Sequence, residues 1–133
     1  MKPALILDTG PLVALLSSAD THHRWAREAL AVRARVVTVE AVVSEAWFLL
    51  RNARARRALM NTVATIEVVS MSQEVPKLKS LMERFEDVPM SFADACVTRV
   101  SELIPDCLVA TTDSDFLIYR RNGRAVIPTL MPG

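Results

Sequence analysis

At 133 residues and 14.7 kDa the chain has the length of one ordinary domain, enough to bury well over half of its unfolded surface around one core. A composition that is 51% hydrophobic and 23% charged, with 3 Gly and 7 Pro, excludes a disordered or fibrous chain. The formal charge of +1 supplies no overall field for nucleic acid, so any such binding must come from local clusters of charge.

Ala4 to Leu7 reads as a buried strand that delivers Asp8 to its carboxyl end, and Pro11 suits the first turn of a following helix. That opening run is too short for a signal peptide, and no apolar stretch approaches the ~18 residues of a membrane span, so a cytoplasmic protein without a membrane segment is expected. Thr21 to Arg33 has helical spacing, with Trp25, Ala29 and Leu30 set against Arg24, Arg27 and Glu28. The adjacent His22 and His23 point to different faces there, cannot form a facial metal pair, and are read as surface or loop residues. Val36 to Val39 is a β-branched strand, Glu40 to Leu50 a helix, and the Arg-rich stretch Arg51 to Arg57 leads into another helix ending near Thr62. A third strand at Ile66 to Val69 precedes a helix over Ser72 to Phe85, with Ser72 as its cap. Ser91 to Leu103 is the next helix, stopped by Pro105. Cys107 to Ala110 is a fourth strand running into Thr111-Thr112-Asp113-Ser114-Asp115, followed by a short helix over 114–120 and a fifth strand at Ala125 to Ile127. Cys96 and Cys107 lie in apolar surroundings without metal-ligand spacing and belong to the core.

Short apolar strands alternating with helices predict an α/β fold in which one domain, residues 1–133, carries a central parallel sheet of about five strands between two helical layers. Ligands of such sheets bind in the crevice outside the carboxyl ends of the strands, where Asp8 and Asp113 fall. Either residue alone is explained by capping the helix after it. Glu45 is harder to explain, because its helical neighbours Ala41, Val42, Phe48 and Leu49 are apolar and predict an inward face where a lone carboxylate is disfavoured. Asp94, three residues after Ser91, suits a capping box and reaches the sheet edge only if its helix starts there. Carboxylates gathered in one pocket repel one another, and without a paired His or Cys their oxygens suit Mg²⁺ or Mn²⁺.

Leu5-Ile6-Leu7-Asp8-Thr9-Gly10, Ser44-Glu45, Ser91-Phe92-Ala93-Asp94-Ala95 and Thr111-Thr112-Asp113-Ser114-Asp115-Phe116 together resemble, in order and separation, the PIN-domain nucleases, and within them the VapC ribonuclease toxins of bacterial toxin–antitoxin pairs. The resemblance implies a three-layer α/β/α PIN-like fold and a catalytic quartet of Asp8, Glu45, Asp94 and Asp113. Asp8, Asp94 and Asp113 would hold the metal, with Asp115, Thr9 and Thr111 as auxiliary groups and Glu45 holding a water or a second ion. Gly10 departs from the Ser or Asn common in relatives. The implied reaction is hydrolysis of RNA phosphodiesters with one or two Mg²⁺ or Mn²⁺ ions, and the implied partners are RNA, a cognate antitoxin protein and a second copy of the chain. Arg51, Arg54, Arg56 and Arg57 form a basic patch suited to RNA phosphates or to a protein partner, and Arg120, Arg121 and Arg124 form a comparable one.

Two other readings compete. A haloacid-dehalogenase-like phosphatase needs a second Asp where Gly10 stands, and a receiver domain needs a late Lys, whereas the last is Lys79. A PIN-like module that binds RNA or protein without cleaving has the same sequence signature, because competence depends on geometry.

Overall fold

The computed structural model describes residues 2–33 and 35–133. Five parallel strands form the central sheet in the order β3 (Glu67–Val69), β2 (Val36–Val39), β1 (Ala4–Leu7), β4 (Cys107–Ala110), β7 (Thr129–Leu130). Helices flank it to give the expected three-layer α/β/α arrangement: α1 (Thr9–Leu16), α2 (His23–Ala31), α3 (Glu40–Leu49), α4 (Ala53–Val63), α5 (Val75–Arg84) and α6 (Phe92–Leu103). The central strand β1 is buried along its whole length, with Leu5, Ile6 and Leu7 at 0% exposure, as a strand covered on both faces must be.

The register of the middle of the sheet determines where the acids go. Leu7 pairs with Ala110 in the parallel β1–β4 ladder, and the Asp8 N–H continues it by donating to the Ala110 carbonyl at 3.0 Å. Asp8 and Thr111 therefore leave the sheet side by side at the carboxyl edge. Thr38, buried in β2, donates its hydroxyl to the Leu7 carbonyl at 2.9 Å and fixes the end of β1 from the other side. Both cysteines are buried, as expected.

Three local expectations are corrected. The segment at 125–127 is not the fifth strand of the sheet: β6 (Ala125–Val126) pairs antiparallel with β5 (Arg120–Arg121) in a small separate ribbon. Asn122 and Gly123 turn that ribbon with φ of 51° and 85°, a conformation Asn and Gly adopt at low cost, and the chain joins the main sheet only afterwards, through β7. Ser72 is not a helix cap, because α5 starts at Val75 with Pro76 in its first turn, and the Ser72 hydroxyl pairs with Ser70 instead. The face of α3 that carries Glu45 does not pack inward: Val42 and Ala46 are at 0% exposure, whereas Phe48 and Leu49 are 70% and 52% exposed. This helix is apolar nearly all round, so periodicity does not choose its inner face. The small side chains of Val42 and Ala46 enter the core and the large ones face outward.

Candidate active site

Four segments bring the expected acids to the carboxyl edge of the sheet. Asp8 ends β1 at the N-cap position of α1, but its side chain makes no capping hydrogen bond. Only 6% exposed, it instead accepts a hydrogen bond at Oδ2 from the Thr111 hydroxyl at 2.7 Å. The same Thr111 oxygen accepts from the Asp113 N–H at 3.0 Å, so one hydroxyl joins the ends of β1 and β4. Capping alone therefore does not account for Asp8. It does describe part of Asp113, whose Oδ1 accepts from the Asp115 N–H at 2.9 Å at the start of a short 3₁₀ turn, Ser114–Leu117.

Asp94 lies in the first turn of α6. Its N–H donates to the Ser91 hydroxyl at 3.0 Å, and its Oδ2 accepts from the Tyr119 hydroxyl at 2.7 Å. It thus combines a place in the capped first turn with one at the sheet edge. Glu45, exposed on α3, is held at the rim by the Thr9 hydroxyl, which donates to its Oε2 at 3.3 Å. Thr9 and Thr111 each support an acid directly, and Asp115 stands half-buried beside Asp113.

The electrostatics show that three of these acids share one environment. Burial pushes the Asp8 carboxyl up from 3.8 to about 6; hydrogen bonds from Thr111 and Thr9 oppose this, and the charges on Asp94 and Asp113 add to it. Asp94 is raised in the same direction, mostly by burial and further by Asp113, against the lowering effect of its bonds to Tyr119 and Ser91. A cluster of carboxylates that destabilise one another in this way presents oxygen donors suited to a hard divalent cation. The donor set therefore fits Mg²⁺ or Mn²⁺. Among the described residues no group of three or more His, Cys, Asp or Glu side chains is gathered closely enough to hold a metal ion as it stands, and one oxygen each of Asp8, Asp94 and Asp113 is held by a protein donor.

The arginines fare differently from one another. Arg51, Arg54 and Arg57 are exposed, and Arg51 and Arg54 line a polar groove of 560 Å³ with Ser17, Ser18, His23 and Asn52. Arg56 is used internally: its Nε donates to the Trp47 and Leu50 carbonyls at the end of α3, and its guanidinium lies 5.0 Å from the Trp47 ring centroid. Arg120 and Arg121 are likewise committed to backbone carbonyls, Arg121 to Ser101 at 2.7 Å and Arg120 to Leu117 at 2.9 Å. His23 bonds the Ala14 carbonyl through Nδ1 at 2.8 Å, a structural role.

Two features of the site went unread in the sequence. One is Tyr119, fully buried, whose hydroxyl finds Asp94; its signal was a tyrosine in an otherwise apolar run, because a buried phenol requires a polar partner. The other is the close approach of Thr112 over Gly10. A Cβ at position 10 would run into the Thr112 hydroxyl, so the space a side chain would take at the start of α1 is filled from β4's trailing segment instead.

No curated protein sequence matches the chain. Among solved structures it is similar to VapC20 of Mycobacterium tuberculosis, a sarcin-ricin loop cleaving toxin, with a TM-score of 0.76 and 23% identity over 84% of this chain and 91% of that one. VapBC2 of Rickettsia felis, solved bound to a DNA fragment from its promoter, aligns with a TM-score of 0.67 and 11% identity over 98% of this chain and 99% of that one. FitAcB of Neisseria gonorrhoeae aligns with a TM-score of 0.59 and 15% identity over 83% and 88% of the two chains. At these identities the likeness is one of fold. The sequence profile of the PIN domain matches residues 5–122, and the chain belongs to the PIN domain family.

Proposed function

We propose that this chain is a Mg²⁺- or Mn²⁺-dependent endoribonuclease of the VapC type, the toxin of a toxin–antitoxin pair. The observation that carries the reading is the shared site of Asp8, Asp94 and Asp113 at the sheet edge, where burial and mutual repulsion push Asp8 up to about 6. A PIN domain and the likeness to the toxin VapC20 support it. Asp8, Asp94 and Asp113 would hold the cation, which when bound polarises the phosphoryl oxygen, acidifies water and stabilises the leaving 3′ oxygen.

The protein's own groups do the remaining work. Thr111 holds Asp8 Oδ2 and the Asp115 N–H holds Asp113 Oδ1, so each carboxylate has one oxygen fixed by the protein and would meet a cation mainly through the other. Glu45, steadied by Thr9 at the exposed rim, would hold a water or a second ion, with Asp115 as an auxiliary acid. Arg51, Arg54 and Arg57 are exposed basic residues that would meet RNA phosphates or a partner, as is Arg124. The exposed Trp47, Phe48 and Leu49 on α3 form an apolar face suited to a second copy of the chain, and the groove lined by Arg51 and Arg54 suits an antitoxin segment.

Incubating purified protein with labelled RNA in Mg²⁺, Mn²⁺ or EDTA, beside Asp8→Asn, Asp94→Asn and Asp113→Asn, tests the reading. Cleavage confined to the cation-loaded wild type is expected, with a loss of about 100-fold or more in each variant. Cleavage that survives EDTA and the substitutions overturns the metal-nuclease reading. RNA retained without product at any cation concentration assigns the fold to a binding module.

A further inference from the structure

We propose that Tyr119 is a positioning residue for cation binding: its hydroxyl fixes the Asp94 carboxylate and ties it to the segment that carries Asp113. This rests on the metal-site reading above and extends it to a residue outside the acidic quartet.

Tyr119 is fully buried, and its ring is clamped edge-on by two phenylalanines, Phe116 at 5.1 Å and Phe85 at 5.5 Å between centroids. Its backbone N–H donates to the Asp115 carbonyl at 3.0 Å, while Asp115 donates its own N–H to Asp113 Oδ1 at 2.9 Å. The backbone of Tyr119 is thus tied to the turn that presents Asp113, and its hydroxyl donates across to Asp94 Oδ2 at 2.7 Å, on another helix. A free aspartate in the first turn of a helix rotates about two bonds and spreads its oxygens over several orientations. Ser91, at the start of the same helix, also bonds this carboxylate, but it moves with α6; the Tyr119 hydroxyl is the rigid donor from another element, and it fixes Oδ2 in one orientation relative to that element. Since Phe85 and Phe116 fill the space around the ring, the phenol cannot follow Asp94 if it turns away. The arrangement fixes the spacing between the acid of α6 and the acids of the β4 edge before any cation arrives.

Tyr119→Phe keeps the ring and its packing and deletes only the donor. Mn²⁺ affinity of the whole chain, read from loss of the free-ion signal by electron paramagnetic resonance, is expected to weaken by about 10- to 100-fold, the usual cost of removing a group that orients a ligand. Circular dichroism should show the wild-type fold, and the KM for RNA at saturating Mn²⁺ should stay at the wild-type value, because the phenol touches no substrate. A purely structural role predicts lower thermal stability with unchanged Mn²⁺ affinity, and that result overturns the proposal. Asp94→Asn serves as the reference. If it loses Mn²⁺ while Tyr119→Phe binds as the wild type does, the positioning role falls and the nuclease reading stands. If the wild type takes up no Mn²⁺, both fall together.

Discussion

The burial of Asp8 makes a quantitative claim about stability. Moving a carboxyl from 3.8 to about 6 at about 1.4 kcal/mol per pH unit means that the folded protein, with no cation bound, disfavours ionised Asp8 by about 3 kcal/mol. The folded value lies above the unfolded one, so the native state binds the proton more tightly between them. Stability from this group is therefore full below about pH 4, falls as pH rises through about 6, and is flat above that. Asp8→Asn removes the ionisation but introduces an amide NH₂ that must find acceptors in a nearly closed site, a cost of about 1–2 kcal/mol that does not depend on pH. The informative quantity is accordingly the change in the difference between variant and wild type with pH. Urea unfolding in EDTA at about pH 4 and about pH 7.5 should show the variant gaining about 2.5 kcal/mol on the wild type, with most of the gain below about pH 6.5. Parallel stability curves, separated by a constant across that range, would falsify the buried-carboxylate account of the site.

Cations should act on the same group with the opposite sign. At about pH 7.5, Mg²⁺ or Mn²⁺ at about 100 times its dissociation constant should stabilise the wild type by about 2.7 kcal/mol and leave Asp94→Asn unmoved in a thermal melt; equal shifts in both would place the ion elsewhere. Arg99, whose guanidinium bridges Glu74 at 2.6 Å and Glu102 at 3.0 Å between α5 and α6, is 19% exposed, so Arg99→Met should cost about 1.5–3 kcal/mol by stranding two shielded carboxylates. Urea unfolding reads that loss, and a change below about 0.5 kcal/mol would contradict the ion-pair explanation. Gly10→Ala should change stability by less than about 1 kcal/mol, because the helix gains from alanine while the exposed Thr112 side chain swings aside; a loss above about 2 kcal/mol would show that Thr112 is fixed over Gly10. If the 70%-exposed Phe48 sits in a contact between two copies, Phe48→Glu should convert a dimer to a monomer by sedimentation, and a wild type that sediments as a monomer refutes that use of the face.

The parts of the fold legible in the sequence are those in which one local pattern has one structural outcome. Val36–Val39 and Cys107–Ala110 are short apolar runs bounded by polar residues, and both strands begin and end where the sequence places them. Asp8 was legible for the same reason, because a parallel strand that stops at an acid delivers it to the carboxyl edge of the sheet, and Asp113 follows the end of β4 after two threonines. The inward face expected for Glu45 does not hold, since its helix turns Phe48 outward and leaves the carboxylate at the rim, where Thr9 bonds it. An all-apolar helix satisfies several rotations equally, and the choice is made by the shapes it meets: Val42 and Ala46 fit close to the sheet and neighbouring helices where Trp47 and Phe48 do not. Tyr119 was illegible because its partner lies 25 residues away on another element, and no local spacing relates them. Local pattern thus places backbone-borne acids at the edge of the sheet, whereas the orientation of each carboxylate depends on tertiary contacts. Asp94 shows the distinction most clearly: its position follows from Ser91 and the helix it opens, but the direction of its oxygens follows from a buried phenol held between two phenylalanines.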